Sequence, residues 1–125
     1  MTIDQLNPNK RSLSDVQRAN LTELTRRISL FEELIGYKFH FNPGTFYGFR
    51  SLADQLKVNS KSPKSSHCEG MAVDLADPKG EIYQFLIDNP DIVIKFDFYV
   101  ERKDYTPGWC HIQIRPTKRR FFIPY

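Results

Sequence analysis

The first third of the chain contains one long stretch with apolar residues at three- and four-residue steps. It lies between Ser12 or Ser14, either of which suits a helix N-cap, and Gly36, which suits a helix end. Such spacing puts the apolar side chains on one helix face. The pattern predicts a long amphipathic helix whose core-facing residues are Val16, Leu21, Leu24, Ile28, Phe31, Leu34 and Ile35.

Shorter patterned runs follow, separated by turn residues. Residues 38–41 alternate like a strand, residues 51–57 can form a short helix, and residues 58–66 have the polar composition of a loop. Residues 71–75 form a short apolar run around one acid, which predicts a strand, and residues 81–89 are predicted to be a second helix.

Two β-rich runs, residues 92–101 and 110–115, are separated by a loop that contains Pro107 and Gly108. They predict an antiparallel hairpin. If its centre is Thr106, alternation along the strands gives three facing pairs. These pairs are Glu101 with His111, Tyr99 with Gln113, and Asp97 with Arg115, the last a plausible ion pair.

The succession of helices and strands predicts an α+β domain with helices packed on a small, mainly antiparallel sheet. With 125 residues, 40% of them hydrophobic, the chain has the size and apolar content of one domain. Residues 1–12 are polar and predict an irregular arm, and residues 116–125 form a basic and aromatic tail.

Composition narrows the classes of function. Two cysteines do not suggest a disulfide framework, and no apolar stretch is long enough to predict a membrane span. The amino terminus lacks the features of a secretion signal, so we expect synthesis in the cytoplasm. The net charge of +3 includes a run of three basic residues, Lys118, Arg119 and Arg120. That run is either a solvated tail or a contact for an anionic partner such as nucleic acid or cell wall.

The residues that carry chemistry are two histidines and an aspartate. His67 precedes Asp74 by seven residues, and Gly70 provides a turn between them. A loop histidine and a strand carboxylate can therefore converge, and His111 can add a third ligand from the second hairpin strand. Two imidazoles and one carboxylate suit Zn²⁺ and leave a fourth position open, which is typical of catalytic sites. Spacing alone is weak evidence for a metal site, and on that basis a pair of surface histidines is the better explanation.

Three motifs resemble those of a known family. The segment Gly48-Phe49-Arg50-Ser51 is similar to a G-Y-R-S element, and Trp109-Cys110-His111 to a W-x-H ending. A pattern S-x-H-x-x-G-x-A-x-D is matched by Ser65, His67, Gly70, Ala72 and Asp74. Together, in this order, they resemble the M15 zinc peptidases, the D-alanyl-D-alanine carboxypeptidase and phage L-alanyl-D-glutamate endopeptidase group, which shares its fold with the hedgehog signalling domain.

The resemblance implies a zinc enzyme that hydrolyses peptidoglycan peptides, with His67, Asp74 and His111 as ligands. It also implies that Arg50 binds a substrate carboxylate or carbonyl, a role that its planar guanidinium suits. A structural salt bridge is the alternative for Arg50. We further expect Ser65, Gln113 and Trp109 to contact the substrate.

The family also uses a general base, in several branches a glutamate three residues before the last histidine. This chain has Gly108 at that position. Strand alternation makes Glu101 the best substitute, because it would face His111 across the hairpin. Asp104 in the loop is the second candidate for the base.

These observations predict a monomeric zinc metallopeptidase that acts on bacterial cell-wall stem peptides, as a phage endolysin or virion-associated lysin released by another protein. One alternative is a zinc-binding module without catalysis, used for recognition or virion assembly, which the glycine before His111 favours. Another is a nucleic-acid-binding domain that uses the basic tail. We do not expect nucleic acid as a partner.

Overall fold

The computed structural model describes residues 1–124, so that Tyr125, the last residue of the predicted tail, lies outside them. The helices are α1 (Asp15–Ile35), α2 (Leu52–Val58), α3 (Glu81–Asp88) and α4 (Pro90–Lys95). The strands are β1 (Ala72–Ala76), β2 (Tyr99–Glu101), β3 (Trp109–Gln113) and β4 (Phe121–Phe122). Two short 3₁₀ helices span Ser66–Glu69 and Lys103–Tyr105.

The four strands form one open sheet in the order β1-β3-β2-β4. β3 pairs antiparallel with β1 on one side and with β2 on the other, and β4 is parallel to β2. The predicted class, α+β with a mainly antiparallel sheet, is confirmed. Tyr99 faces Gln113, as the predicted hairpin register requires.

Helix α1 follows the predicted pattern closely. A capping box between Ser14 and Gln17 begins it, and Gly36, with φ of 66°, ends it in the left-handed conformation. Its buried face is formed by Leu21, Leu24, Ile28 and Phe31. Two residues of the predicted stripe, Val16 and Leu34, are instead exposed, and each lies in the first or last turn of the helix.

The core forms around Phe31, whose ring is within 6.2 Å, centroid to centroid, of four other phenylalanine rings. These rings come from distant parts of the chain, and their tilted and edge-on geometries are those that aromatic pairs prefer. They belong to Phe39, Phe85, Phe96 and Phe98. This cluster packs α1 against α3 and against the irregular segments that contain Phe39, Phe96 and Phe98.

Three predictions of local structure were wrong. Residues 38–41 contribute a single bridge, from Phe41 to Leu75, because the free edge of β1 is covered by irregular backbone. The first four residues of the predicted strand 92–101 belong to helix α4, which begins with Pro90 at its first position, and only its last three residues form a strand, β2. The predicted ion pair of Asp97 with Arg115 does not form, since Asp97 bonds Arg120 and Arg115 bonds Glu69.

Both chain ends are tied to the domain. Residues 1–14 contain turns but no helix or strand, yet Leu6 is fully buried in the core. Arg11 bonds the buried carboxylate of Asp54 through two nitrogens, at 3.1 and 2.7 Å. At the other end, Phe121 and Phe122 add the fourth strand to the sheet. Within residues 1–124, no helix combines the length and apolar character needed to cross a membrane.

Candidate metal centre

His67 is held in a short 3₁₀ helix that is fixed at both ends. Ser65 caps it by accepting a hydrogen bond from the backbone N–H of His67 at 3.2 Å. Gly70 ends it with φ of 75°, and a Cβ at Gly70 would lie 2.7 Å from the carbonyl oxygen of Gln17 in α1. Glycine is therefore required here by both conformation and space, so the motif glycine has a physical cause.

Asp74 and His111 face each other across the β1–β3 pair. Their side chains therefore extend from the same face of the sheet. All three predicted ligands are buried, with exposed fractions of 2% for His67, 5% for Asp74 and 9% for His111. The structure brings them together as the sequence predicted.

One potential ligand atom from each residue lies within 4.8 Å of the others. The Nε2 atom of His67 is 3.3 Å from Oδ2 of Asp74, and Nδ1 of His111 is 2.9 Å from Oδ1 of Asp74. The two imidazole rings meet edge-on, with centroids 5.1 Å apart. The carboxylate therefore lies between two ring nitrogens.

Hydrogen bonds on the outer side fix which nitrogen of each histidine carries the proton. Nδ1 of His67 lies 2.8 Å from the carbonyl oxygen of Gly48, so it must donate, which leaves a lone pair on Nε2. The amide nitrogen of Gln113 donates to the carbonyl of Arg115, so its oxygen accepts from Nε2 of His111 at 2.8 Å. In both neutral rings, the lone pair therefore faces Asp74.

The charges agree with this arrangement. Burial raises the pKa of Asp74, but the neighbouring histidines outweigh it and hold that pKa well below its usual range. Burial lowers the pKa of His67 by more than the charge of Asp74 raises it. Burial also lowers the pKa of His111, but the hydrogen bond and charge of Asp74 outweigh it, and the net pKa is raised. An electron-rich site of this kind attracts a positive charge, either a proton or a metal ion.

The donor set fits a metal ion. Ligand atoms of a tetrahedral zinc site, at about 2.0–2.1 Å from the ion, lie about 3.3–3.4 Å from one another. In this cluster, Nε2 of His67 and Nδ1 of His111 lie 3.3 and 2.9 Å from different oxygens of Asp74, and one ligand atom from each of the three residues lies within 4.8 Å of the others, a spacing compatible with one ion. The outer carbonyl bonds of both histidines are those that orient metal-bound imidazoles in proteins. His67, Asp74 and His111 can therefore bind a metal ion.

Arg50 is an integral part of this cluster. Its guanidinium donates to the carbonyl of Phe46 at 2.7 Å, to the side-chain oxygen of Gln55 at 2.9 Å and to Oδ2 of Asp74 at 3.2 Å. These bonds use three of its five N–H groups. The structural salt bridge considered from the sequence thus exists, and two donors remain for another partner.

The cluster lies at the base of an open cavity of about 530 Å³. The residues that were predicted to contact a substrate or to act as a base, apart from Asp104, line this cavity: Arg50, Ser65, Glu101, Trp109 and Gln113. Asp104 is instead exposed and pairs with Arg102 at 3.4 Å. The amide of Gln113 is already bonded to His111 and Arg115, so it also positions a ligand.

Glu101 is half-buried beside the cluster. Burial raises its pKa, and the charge of Asp74 acts in the same direction, whereas His111 and Arg50 oppose the shift. A carboxylate with a raised pKa is a better proton acceptor near neutral pH than an exposed one. Its position supports Glu101 over Asp104 as the candidate base.

The sequence did not reveal what supports the cluster from behind. The backbone N–H of Phe49 bonds the carbonyl of Leu6 at 2.7 Å, and a Cβ on Gly48 would lie only 2.3 Å from that same oxygen. Gly48 in turn accepts the bond from His67. The arm therefore supports His67, a candidate metal ligand, through Gly48. The glycine that begins the segment Gly48-Phe49-Arg50-Ser51 was the only available signal.

The sequence also did not reveal what encloses the cavity. One side is the loop wall, which we define as residues 55–66, and the other is the tail wall, residues 113–124. In the tail wall, the ring of Phe122 meets the edge of His111, with centroids 5.9 Å apart. The predicted tail is thus part of the site.

No protein-family model, curated protein or solved structure gives a significant match to this chain. The geometry of the site and the chemistry of its residues are therefore the basis for assigning a function.

Proposed function

We propose that this protein is a zinc-dependent peptidase. One observation carries the proposal: the outer ring nitrogen of each histidine donates a hydrogen bond to a carbonyl oxygen. The other ring nitrogen of each therefore has a lone pair, and these two lone pairs and the carboxylate of Asp74 converge at the base of an open cavity. Three protein ligands of the type N, N and O suit Zn²⁺ with an open coordination position. That arrangement is more typical of catalytic sites than of structural ones.

Zinc, when bound, supplies a Lewis acid that polarises a carbonyl and makes water a stronger nucleophile at neutral pH. The chain itself supplies proton transfer and orientation. Glu101 lines the same cavity and is the group that would accept the proton of the attacking water on a carboxylate oxygen. It would then return that proton to the leaving amine.

Arg50 is the candidate for orienting the substrate. Its bonds to Asp74 and Gln55 hold the guanidinium rigid, and its remaining N–H groups suit a carboxylate or carbonyl of a peptide. Ser65 and Trp109 line the cavity and are candidates for further contacts. Gln113 acts mainly by keeping the Nδ1 lone pair of His111 directed at the metal position.

The proposed substrate is the stem peptide of bacterial peptidoglycan. This part of the proposal comes from the motifs that resemble the M15 zinc peptidases, and with it comes the hedgehog-type fold. A monomeric lysin that reaches the wall by phage-type release, or as part of a virion, fits this substrate.

A metal-binding module without catalysis is the second candidate. Gly108 occupies the place of the usual glutamate and favours this alternative. Glu101, half-buried and in the same cavity as the three ligands, favours catalysis. The two candidates differ in whether a covalent bond is broken.

The test is mass spectrometry of purified stem peptides and of intact peptidoglycan after incubation with the zinc-loaded protein. We expect new fragments that identify the cleaved bond. The controls are the same protein after chelation and the His67→Ala variant, neither of which should release product. If the fully zinc-loaded protein releases no fragment from either material, the peptidase proposal fails. The metal-binding module without catalysis is then the remaining candidate.

A further inference from the structure

The two walls of the cavity differ from the rest of the molecule in charge. Together, the loop wall and the tail wall contain seven basic residues and no acidic residue. The rest of the chain contains the other 11 of the 18 basic residues and all 15 acidic ones, so it is net negative by 4. The excess of positive over negative charge in the protein therefore comes from the two wall segments.

Most of these cations face solvent. Lys64 and Arg115 line the cavity itself, one from each wall. The other exposed cations on the two segments are Lys57, Lys61, Lys118 and Arg119. Arg115 bonds Glu69, with 45% of its side chain exposed, and Arg120 bonds Asp97 and covers the ring of Tyr99. Six of the seven basic side chains are thus exposed to solvent, and two of these six line the cavity.

We propose that the walls form a clamp for a peptide that carries several carboxylates. The peptide would lie in the cavity. On one side, its acidic groups would be directed to the three lysines of the loop wall, Lys57, Lys61 and Lys64. Arg115, Lys118 and Arg119 would hold acidic groups on the other side. For the identity of the reaction, this inference rests on the proposed function, but the binding that it describes needs no catalysis.

The distribution of charge favours a peptide over nucleic acid. The base of the cavity carries two acids, Asp74 and Glu101, between the two positive walls. Arg50 bonds Asp74 beside them, so the side chains at the base carry far less positive charge than the walls, which suits a peptide that places an uncharged bond between two sets of carboxylates. Nucleic acid also needs aromatic faces for stacking. In the described part of the cavity, Phe122 already meets the edge of His111 and Trp109 is half-buried.

Binding of a labelled poly-glutamate peptide, followed by fluorescence anisotropy, tests this inference. The loop-wall variant combines Lys57→Glu, Lys61→Glu and Lys64→Glu. Its control changes net charge equally on exposed lysines elsewhere, as Lys38→Glu, Lys79→Glu and Lys95→Glu. We expect the wall variant to weaken binding about tenfold or more, and the control to weaken it about threefold or less.

Three results would overturn the inference. The first is equal weakening by the wall variant and its control, because net charge alone would then explain binding. The second is tighter binding of a single-stranded DNA of equal formal charge, lost in the wall variant, which would indicate nucleic acid instead. The third is no binding of poly-glutamate at low salt. Poly-glutamate binding without release of stem-peptide fragments would instead support the clamp while contradicting the proposed function.

Discussion

The base of the cavity and its walls are built in opposite ways. At the base, His67, Asp74, His111 and Arg50 are buried, and each is hydrogen-bonded to at least one further group that fixes its orientation. Two of them lie opposite each other on adjacent strands. The loop wall and the tail wall contain mostly exposed residues, and their regular structure is limited to the ends of α2 and β3, the first residue of the Ser66–Glu69 3₁₀ helix, and β4.

The difference separates two requirements of a binding site. Metal ligation needs positions accurate to a fraction of an ångström, which strands and packed turns provide. Recognition of a variable, charged ligand tolerates mobile side chains on irregular backbone, where long-range electrostatic attraction does not depend on exact geometry. Changes at the base should therefore act on the metal and the reaction, and changes in the walls should act on ligand affinity.

The largest expected effect is on metal binding. His67→Ala or His111→Ala removes one of three ligands, so we expect tight binding of about one Zn²⁺ per chain to be abolished. Gln113→Ala leaves all ligands but frees His111 to rotate, and loss of such an outer partner typically costs about 10–100-fold in affinity. His40→Ala is the control, since His40 is exposed and lies outside the cluster. Zinc titration against a competing chelator measures the zinc affinity of all four variants. Unchanged affinity in both His67→Ala and His111→Ala would refute the site.

The next effect concerns the candidate general base of the reaction. Glu101→Gln keeps the size of the side chain and should leave zinc bound, but it cannot accept a proton at neutral pH. Loss of a general base typically lowers the rate about 10²- to 10⁴-fold. Asp104→Asn is the matched variant and should change little, because Asp104 is exposed and paired with Arg102. Hydrolysis rates at equal zinc content compare them, and a large loss confined to Asp104→Asn would move the base into the loop.

A smaller effect on zinc affinity is expected from a change at Gly48, whose carbonyl accepts the hydrogen bond of His67. In Gly48→Ala, the new Cβ would lie 2.3 Å from the carbonyl oxygen of Leu6, so the backbone that binds His67 must shift. We expect zinc affinity to fall about 10–100-fold, as for other outer contacts. Thr45→Ala is the control in the same loop, because the Thr45 side chain is exposed. Equal affinities of the two variants would show that the arm does not support the site.

The smallest effect is on stability alone. Asp54→Asn weakens the buried contact with Arg11, which should cost about 1–3 kcal/mol of the free energy of unfolding. Hydrogen bonding from Arg11 lowers the pKa of Asp54. The stabilisation is therefore complete above the unfolded-state pKa of about 3.9 and is lost as the pH falls through the lower folded-state value. Denaturation at neutral and acid pH measures this trend.

The comparison variant for stability is Glu23→Gln, on an exposed face of α1. Arg26 and Arg27 hydrogen-bond Glu23 and lower its pKa to about 2. Exposed ion pairs contribute at most about 1 kcal/mol, so this variant should cost less than Asp54→Asn. Zinc affinity should be unchanged in both, because neither residue contacts a ligand. The opposite order of stabilities would contradict the assignment of Arg11 and Asp54 as the stronger link.

Sequence periodicity was sufficient for the parts of the fold that depend on local pattern. Helix α1, its Ser14 cap and its Gly36 end follow directly from spacing and capping preferences. The periodicity gave a wrong prediction for residues 92–95, where β-branched residues favour a strand but Pro90 begins a helix. It also missed β4, since two residues cannot show a period and their pairing with β2 is a tertiary contact.

The same limit applies to the site. The three ligand positions could be predicted because histidine and aspartate are distinctive and their motif is short. The position of β3 between β1 and β2, which brings Asp74 opposite His111, follows from long-range pairing that no local pattern shows. The support from Leu6 uses backbone atoms only, which leave no trace in side-chain chemistry except the glycine at position 48.

The most direct test of the metal centre is a long-range ¹H–¹⁵N NMR spectrum of the imidazole nitrogens, recorded before and after addition of one equivalent of Zn²⁺. The chain has three histidines, and exposed His40 serves as an internal reference. We predict metal-coordination shifts at Nε2 of His67 and at Nδ1 of His111, with protons retained at the opposite nitrogens and no change at His40. Shifts at His40 alone, or none at His67 and His111, would contradict the account.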